Sequence, residues 1–421
     1  MQTNLSAVAK TLSRADEAEQ ILRSCVHCGF CNATCPTYQL LGNELDGPRG
    51  RIYLIKQMLE GEPVTQKTQL HLDRCLTCRN CETTCPSGVT YHALLDIGRA
   101  ELERRVQRPA AERLLREALR RTIPHPAVFD ALLKTGRALR PFLPAALGRK
   151  IPKRGARPKA RPVSRHPRTM LMLEGCVQPA LSPNTNAAAA RVLDRLGISI
   201  VNAAQAGCCG ATDYHLNAQE AGLARARRNI DAWWPAIEAG AEAIVQTASG
   251  CGAFVKEYGH LLRDDPRYAA KAQRVSELAR DLVEVLAREP LDGLLTNSKL
   301  DSQAALPAEP PTQKQRRIAF HCPCTLQHAQ KLGGAVESVL QRLGFDLTTV
   351  PDAHLCCGSA GTYSITQPEL AQRLRNNRLD ALESGNPELI VTANIGCQTH
   401  LDSAGRTPVR HWIELVEASL P

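Results

Sequence analysis

Eight of the seventeen cysteines fall into two copies of one pattern, Cys25-x2-Cys28-x2-Cys31-x3-Cys35-Pro36 and Cys75-x2-Cys78-x2-Cys81-x3-Cys85-Pro86. Zinc takes four ligands per site from paired C-x2-4-C elements, which the third cysteine at x2 and the closing proline fit poorly. A disulfide framework needs an oxidising compartment, and Met1-Gln2-Thr3-Asn4-Leu5 opens no charged-then-apolar leader. Unpaired soft thiolates in a reducing cytosol suit iron–sulfur ligation. The proline after the fourth cysteine fixes φ and ends the ligand turn.

The runs have the ligand spacing of a bacterial-type ferredoxin with two [4Fe–4S] clusters, where three close thiolates cap one cubane and the fourth reaches the other. By that rule one cluster takes Cys25, Cys28, Cys31 and Cys85, and the second takes Cys75, Cys78, Cys81 and Cys35. The chain is expected to carry electrons. Its 421 residues imply two to four domains, and a 43% hydrophobic content is enough for ordinary cores. Aromatic residues are only 4%, which argues against nucleic-acid binding on stacking platforms despite a net charge of +10. No eighteen consecutive residues are apolar, so no membrane-spanning segment is expected and any membrane contact is peripheral.

Residues 1–100 read as a mostly helical domain, with Ile52–Glu60 at helical spacing after the turn signal Gly47-Pro48-Arg49-Gly50-Arg51. Arg49 and Arg51 are either donors to a cluster edge or partner carboxylate, or plain surface residues. Residues 101–168 form a helical brace followed by a basic, proline-rich linker. Its Arg149, Lys150, Lys153, Arg154, Arg157, Lys159, Arg161, Arg165 and Arg168 carry no intervening acid. That segment suits a solvated linker, or electrostatic docking to an anionic membrane or acidic partner.

The remainder is an internal repeat. Cys176 precedes Cys208-Cys209-Gly210 by 32 positions, and Cys324 precedes Cys356-Cys357-Gly358 by the same 32; Cys251 and Cys397 then close the two copies. Short apolar runs (169–173, 198–201 and 243–247, then 317–321, 345–350 and 389–393) alternate with helical stretches. That alternation predicts two repeated α/β modules with parallel sheets, residues 169–286 and 316–421, joined by a linker over 287–315. The fold class is thus α+β and multidomain, a helical ferredoxin domain followed by two modules. Their thiols fall beyond the carboxyl ends of strands, where open sheets place ligands, and form one or two further iron–sulfur or redox sites. Cys322, in His321-Cys322-Pro323-Cys324, is an extra thiol whose counterpart is Glu174.

Two ferredoxin runs followed by two CCG modules resemble the iron–sulfur subunits of bacterial glycolate oxidases. The likeness extends to Cys25-Val26-His27-Cys28-Gly29-Phe30-Cys31, Pro48-Arg49-Gly50-Arg51-Ile52 and Gly250-Cys251-Gly252-Ala253-Phe254. The iron–sulfur subunits of D-lactate and anaerobic glycerol-3-phosphate dehydrogenases look similar. The modules are also similar to those of the heterodisulfide reductases, whose pattern ends in C-x-x-C; here Ala248 and Asn394 stand in place of that fifth cysteine.

The resemblance implies an electron-transfer subunit of an oxidoreductase acting on a 2-hydroxy acid, glycolate first and D-lactate as an alternative. It implies FAD-binding partner subunits that perform the oxidation, membrane quinone as acceptor, and a cytoplasmic position at the inner membrane. No G-x-G-x-x-G follows a strand, so this chain is expected to hold no dinucleotide or flavin of its own. A thiol–disulfide reductase acting at the CCG cysteines is the rival from another class.

Overall fold

The computed structural model describes residues 1–144, 151–152, 158–291, 294 and 316–420. Arg149, Lys150, Lys153, Arg154, Arg157 and residues 295–315 of the expected linker lie outside the described residues.

The N-terminal part is helical. Pro48–Glu60 starts on a proline, whose preset φ and missing N–H suit a first helical turn, and stops at Gly61 in a left-handed conformation. It packs against Ala15–Ser24, Gln66–Asp73 and Tyr91–Arg105 through a core that includes Leu22, Ile55, Met58, Leu59, Leu72, Leu94 and Leu95. Helices Ala110–Thr122 and Pro126–Leu139 follow as a hairpin.

Next comes a four-stranded sheet of β1 (Arg168–Met172), β2 (Ile198–Val201), β3 (Ile244–Gln246) and β4 (Ala279–Asp281), in the order β2-β1-β3-β4. Every pairing is parallel. The second sheet repeats it with β5 (Ile318–His321), β6 (Leu389–Thr392) and β7 (Val409–His411) in the order β5-β6-β7, again all parallel.

Two details differ from the sequence reading. The strand expected at 345–350 is reduced to one bridge, Ile318 with Leu347. It sits at an edge, where polar Asp346 and Thr349 bury nothing and Pro351 cannot donate to a ladder. Strands β4 and β7 were not expected, because three residues are too few to show a period.

The two sheets do not stand apart. Met170, Met172 and Val245 of the first module share one apolar core with Ile318, Phe320, Val391 and Trp412 of the second. The backbone N–H of Ser249 donates to the Ala393 carbonyl across the joint at 3.2 Å.

Much of the basic segment that is described is bound internally: Lys159 pairs with Glu417, Arg161 with Glu174, and Arg168 with Glu242 and Glu289. Exposed pairs of this kind contribute little energy each, yet they use up charge that would otherwise face a partner.

Candidate metal centres

The structure gathers the ferredoxin-type cysteines into two adjacent cavities. Cys25, Cys28, Cys31 and Cys85 line the first. Cys35, Cys75, Cys78 and Cys81 line the second, and Cys81 with Tyr91 forms a wall common to both. Thus the fourth cysteine of each run crosses to the cavity built by the other.

The loops achieve this by alternating backbone handedness. His27 (φ 61°) and Gly29 (φ 90°) in the first run correspond to Thr77 (φ 54°) and Arg79 (φ 61°) in the second. Three of these four are not glycine, at a cost on the order of 1 kcal/mol each. Such turns point successive N–H groups inward at an anion, and Thr77 N donates to Cys75 Sγ at 3.4 Å.

The two cavities differ in environment. Cys28 is exposed and is flanked by exposed Val26 and Phe30. Beside the second cavity lie two buried guanidiniums. Arg51, which one sequence reading placed at the surface, is fully buried; it donates to Thr37 Oγ1 and the His71 carbonyl and faces the Asp46 carboxylate at 3.7 Å. Arg99 donates to the carbonyls of Leu72 and Cys75. Arg49 stays at the surface, paired with Glu44.

Burial pushes the Cys31 thiol up to about 11 and those of Cys78 and Cys81 well above the ordinary range. Apolar surroundings therefore keep these groups protonated until a metal takes them as thiolates.

In each CCG module four thiols also converge. Cys176, Cys208, Cys209 and Cys251 perturb one another's titration in the first, Cys208 with Cys176 and Cys209, and Cys209 with Cys251. In the second, Cys324 Sγ donates to Cys356 Sγ at 3.8 Å, and Cys357 is perturbed by both Cys356 and Cys397. The hydrogen bond from Cys176 pulls Cys208 down, and the same bond holds Cys176 up.

The glycine after each pair is dictated twice over. Gly210 (φ 102°) and Gly358 (φ 85°) are left-handed, and a Cβ there would lie 2.4 Å from the Gly222 carbonyl oxygen and 2.7 Å from that of Ala371. Each also donates its N–H to the first sulfur of the pair, at 3.5 Å for Cys208 and 3.4 Å for Cys356.

The four sites are neighbours. Leu76 packs with Cys356, Tyr363, Leu370 and Leu374 in one cluster that Cys78 and Cys324 border, so the second ferredoxin-type cavity abuts the second CCG site. Asn80 Nδ2 donates to the His354 carbonyl and Thr83 Oγ1 meets His328 Nδ1 at 3.0 Å across the same joint. The two CCG sites meet in turn: Gly250, next to Cys251, lies against Asn394, whose Nδ2 donates to Cys397 Sγ at 3.7 Å.

Two residues escaped the sequence reading. His321, at the end of β5, has a nitrogen within 4.8 Å of both Cys357 and Cys397 sulfurs. Arg378 is buried beside Cys356 and Cys357; its Nη1 donates to the Pro351 and Asp352 carbonyls, while Nε and Nη2 have no partner. The signal for His321 was the repeat itself, since the 148-residue offset sets it opposite Leu173. Cys322, in contrast, is buried in the core that joins the modules.

Comparison with known proteins agrees with this architecture. The family described as a 4Fe-4S dicluster domain matches residues 21–89, and that described as a cysteine-rich domain matches 170–256 and again 318–402. The chain is 68% identical over 420 residues to the glycolate oxidase iron-sulfur subunit of Escherichia coli (strain K12), covering 100% of this chain and 99% of that protein. It is 31% identical to the probable glycolate oxidase iron-sulfur subunit of Bacillus subtilis (strain 168), over 91% of this chain and 88% of the relative. Lactate utilization protein A of Bacillus velezensis is 26% identical over 53% of this chain and 85% of its own length.

Proposed function

The chain belongs to the family of glycolate oxidase iron-sulfur subunits, and from that premise we propose that it relays electrons from an FAD-bearing partner subunit toward membrane quinone. Iron–sulfur clusters are its cofactors. Bound cubanes supply reversible one-electron storage, and everything else is the work of the chain's own residues. In our reading Cys25, Cys28, Cys31 and Cys85 hold one cluster, Cys75, Cys78, Cys81 and Cys35 the other, and the CCG cysteines hold further centres. The same reading divides the chain into 1–100, 101–168, 169–286, 287–315 and 316–421.

The observation that carries the relay is the contact of Cys78 with the cluster around Cys356 and Cys324. It supports one order of the sites. Electron input lies at the exposed Cys28, where Val26 and Phe30 offer an apolar face to a flavoprotein. The second cavity follows, then the second CCG site, then the first. Arg99, bound to carbonyls and Thr77, holds fixed positive charge beside the second cavity, which favours an added electron there, while Asp46 offsets the charge of Arg51. Oxidation of glycolate itself falls to the partner, so the isolated chain reduces no dye from glycolate. The assembled complex does so, and should lose the activity when Val26→Asp and Phe30→Asp block docking. Unchanged turnover in that variant removes the assigned input face.

Membrane contact is assigned to the hairpin of Ala110–Thr122 and Pro126–Leu139. Leu114, Val128, Leu132 and Leu139 are exposed there, as is Phe142 just beyond it, and Val128, Leu132 and Leu139 share one helical stripe at i, i+4 and i+11. An amphipathic surface of this kind suits a bilayer interface. The second helix also touches the segment after Cys176, for Arg137 donates to the Ala180 carbonyl at 3.5 Å. The first CCG site then lies toward the membrane. Leu114→Glu with Leu132→Glu should release the complex from anionic vesicles in sedimentation; full retention refutes the assignment.

A further inference from the structure

The two CCG sites share a cysteine pattern but not a donor set. We propose that His321 is a nitrogen ligand to an iron of the centre in the second CCG module, which makes that centre a mixed sulfur–imidazole site while the first is thiolate only. The inference rests on the reading that the second module holds an iron–sulfur centre.

The placement of the imidazole carries it. Strand β5 is buried at all four residues and ends at His321, which has no solvent exposure. Neither Nδ1 nor Nε2 has a hydrogen-bond partner. Leaving a buried polar atom unsatisfied is costly, so an imidazole with two such atoms is missing a partner. The neighbouring strand does not supply it, because Thr392, paired with His321 in the β5–β6 register, is itself left with an unpartnered Oγ1.

Sulfur does lie close: the His321 nitrogen and the Cys357 and Cys397 sulfurs are all within 4.8 Å of one another. Small side-chain rotations close such gaps to the roughly 3.5–3.8 Å that two donors on one tetrahedral metal keep. Imidazole is a suitable ligand for iron.

The rest of the pocket is consistent with an anionic centre. Arg378 presents two unpartnered nitrogens in the same buried region as Cys356 and Cys357. In the first module the position of His321 is taken by Leu173, which is buried and needs no partner. There the nearby Arg225 is neutralised by Asp213.

The consequence is directional. With the imidazole on an iron and one of the module's four thiols left protonated, a neutral nitrogen stands where the first centre has an anionic sulfur, and that exchange raises the reduction potential of a cluster. The second CCG centre then draws electrons from the neighbouring all-cysteine site at Cys35, Cys75, Cys78 and Cys81.

The test uses the full chain, purified anaerobically from cells fed 15N-histidine or unlabelled histidine and poised across a redox titration, so that pulsed EPR observes each centre in turn. One centre beyond the two N-terminal ones should show a strong nitrogen coupling that changes with the isotope. His321→Leu, the residue the first module already carries, should lose that coupling and lower the midpoint potential of that centre alone. More than eight irons per chain without a histidine coupling, or a coupling that survives in His321→Leu, overturns the ligand and leaves the iron-bearing CCG site standing. Eight irons per chain, or zinc at the second CCG site, overturns both. The labelling is read on the wild-type chain, so the outcome does not hang on the folding of the variant.

Discussion

The two CCG modules share one plan but set their thiols in different surroundings. Both set a Cys-Cys-Gly turn against a long helix and close the site with a cysteine from the helix after a strand. Around the first thiol set the chain places Leu173 and a guanidinium, Arg225, tied to Asp213. Around the second it places His321 and an Arg378 whose Nε and Nη2 are unpartnered. The second set also touches the ferredoxin-type cavity through Cys78, and the first faces the helical hairpin. A duplicated scaffold can thus keep its thiols and be retuned by the residues just behind them.

The widest separation between the modules should come from removing their paired cysteines. Cys356→Ser with Cys357→Ser should stop electrons at the second N-terminal centre, leaving the first CCG centre oxidised when glycolate is added to the complex. Cys208→Ser with Cys209→Ser should let the second CCG centre reduce and stop there. On the proposed route both should lose quinone reduction entirely, and freeze-quench EPR tells them apart. Identical reduction patterns would dissolve the proposed order.

Next in size is the cost of a methyl group behind each pair. Alanine at Gly210 or Gly358 must adopt a strained positive φ and meet a backbone carbonyl, at about 2–5 kcal/mol together. Gly210→Ala should lower the thermal midpoint more, since its obstacle lies at 2.4 Å against 2.7 Å. Equal midpoints would mean that the helices yield freely.

Smaller again is the charge contrast. Arg378→Met removes a cation on the order of 2 kcal/mol of interaction at a dielectric near ~20, or roughly 90 mV for one electron. The potential of the second CCG centre should fall by that amount, and Arg225→Met should shift the first far less because Asp213 already offsets it. Redox titration of the two variants decides whether pairing matters.

The smallest expected effect is in pH. Asp281 and His411 end β4 and β7 and cap the helices that follow, each accepting an N–H two residues on. Each also reaches the other module, Asp281 to Gln330 and His411 to the Thr247 carbonyl.

Burial pushes the Asp281 carboxyl up to about 7 and the His411 imidazole down to about 4. Folded Asp281 keeps a proton that the unfolded chain releases above its usual 3.8, so stability falls as pH rises from there toward 7. Folded His411 refuses a proton that the unfolded chain binds below 6.5, so stability falls as pH drops from 6.5 toward 4. Each slope is at most about 1.4 kcal/mol per pH unit, and they oppose. Wild-type stability should be nearly flat between pH 5.5 and 6.5. Asp281→Asn keeps the cap and should expose a rise with pH, and His411→Asn a fall. Parallel profiles in the two variants would contradict this.

Sequence alone determined the parts whose chemistry is local. The ferredoxin-type spacing pointed to the eight thiols that line the two N-terminal cavities, because three cysteines within seven residues leave a turn little choice. The repeat offset aligned the modules, and alternation of apolar runs with helices predicted parallel sheets. It failed where the signal is short or weak, at the three-residue strands β4 and β7 and at the polar edge segment 345–350. Only the tertiary structure decided what the sites face. Arg51 is buried because it folds back on Asp46 and Thr37, contacts that no spacing announces. His321 stands behind Cys357 and Cys397, and Cys78 beside Cys324, because separate chain segments pack into contact. Spacing records neighbours along the chain, whereas the partner of a buried imidazole is chosen by packing between segments far apart in it.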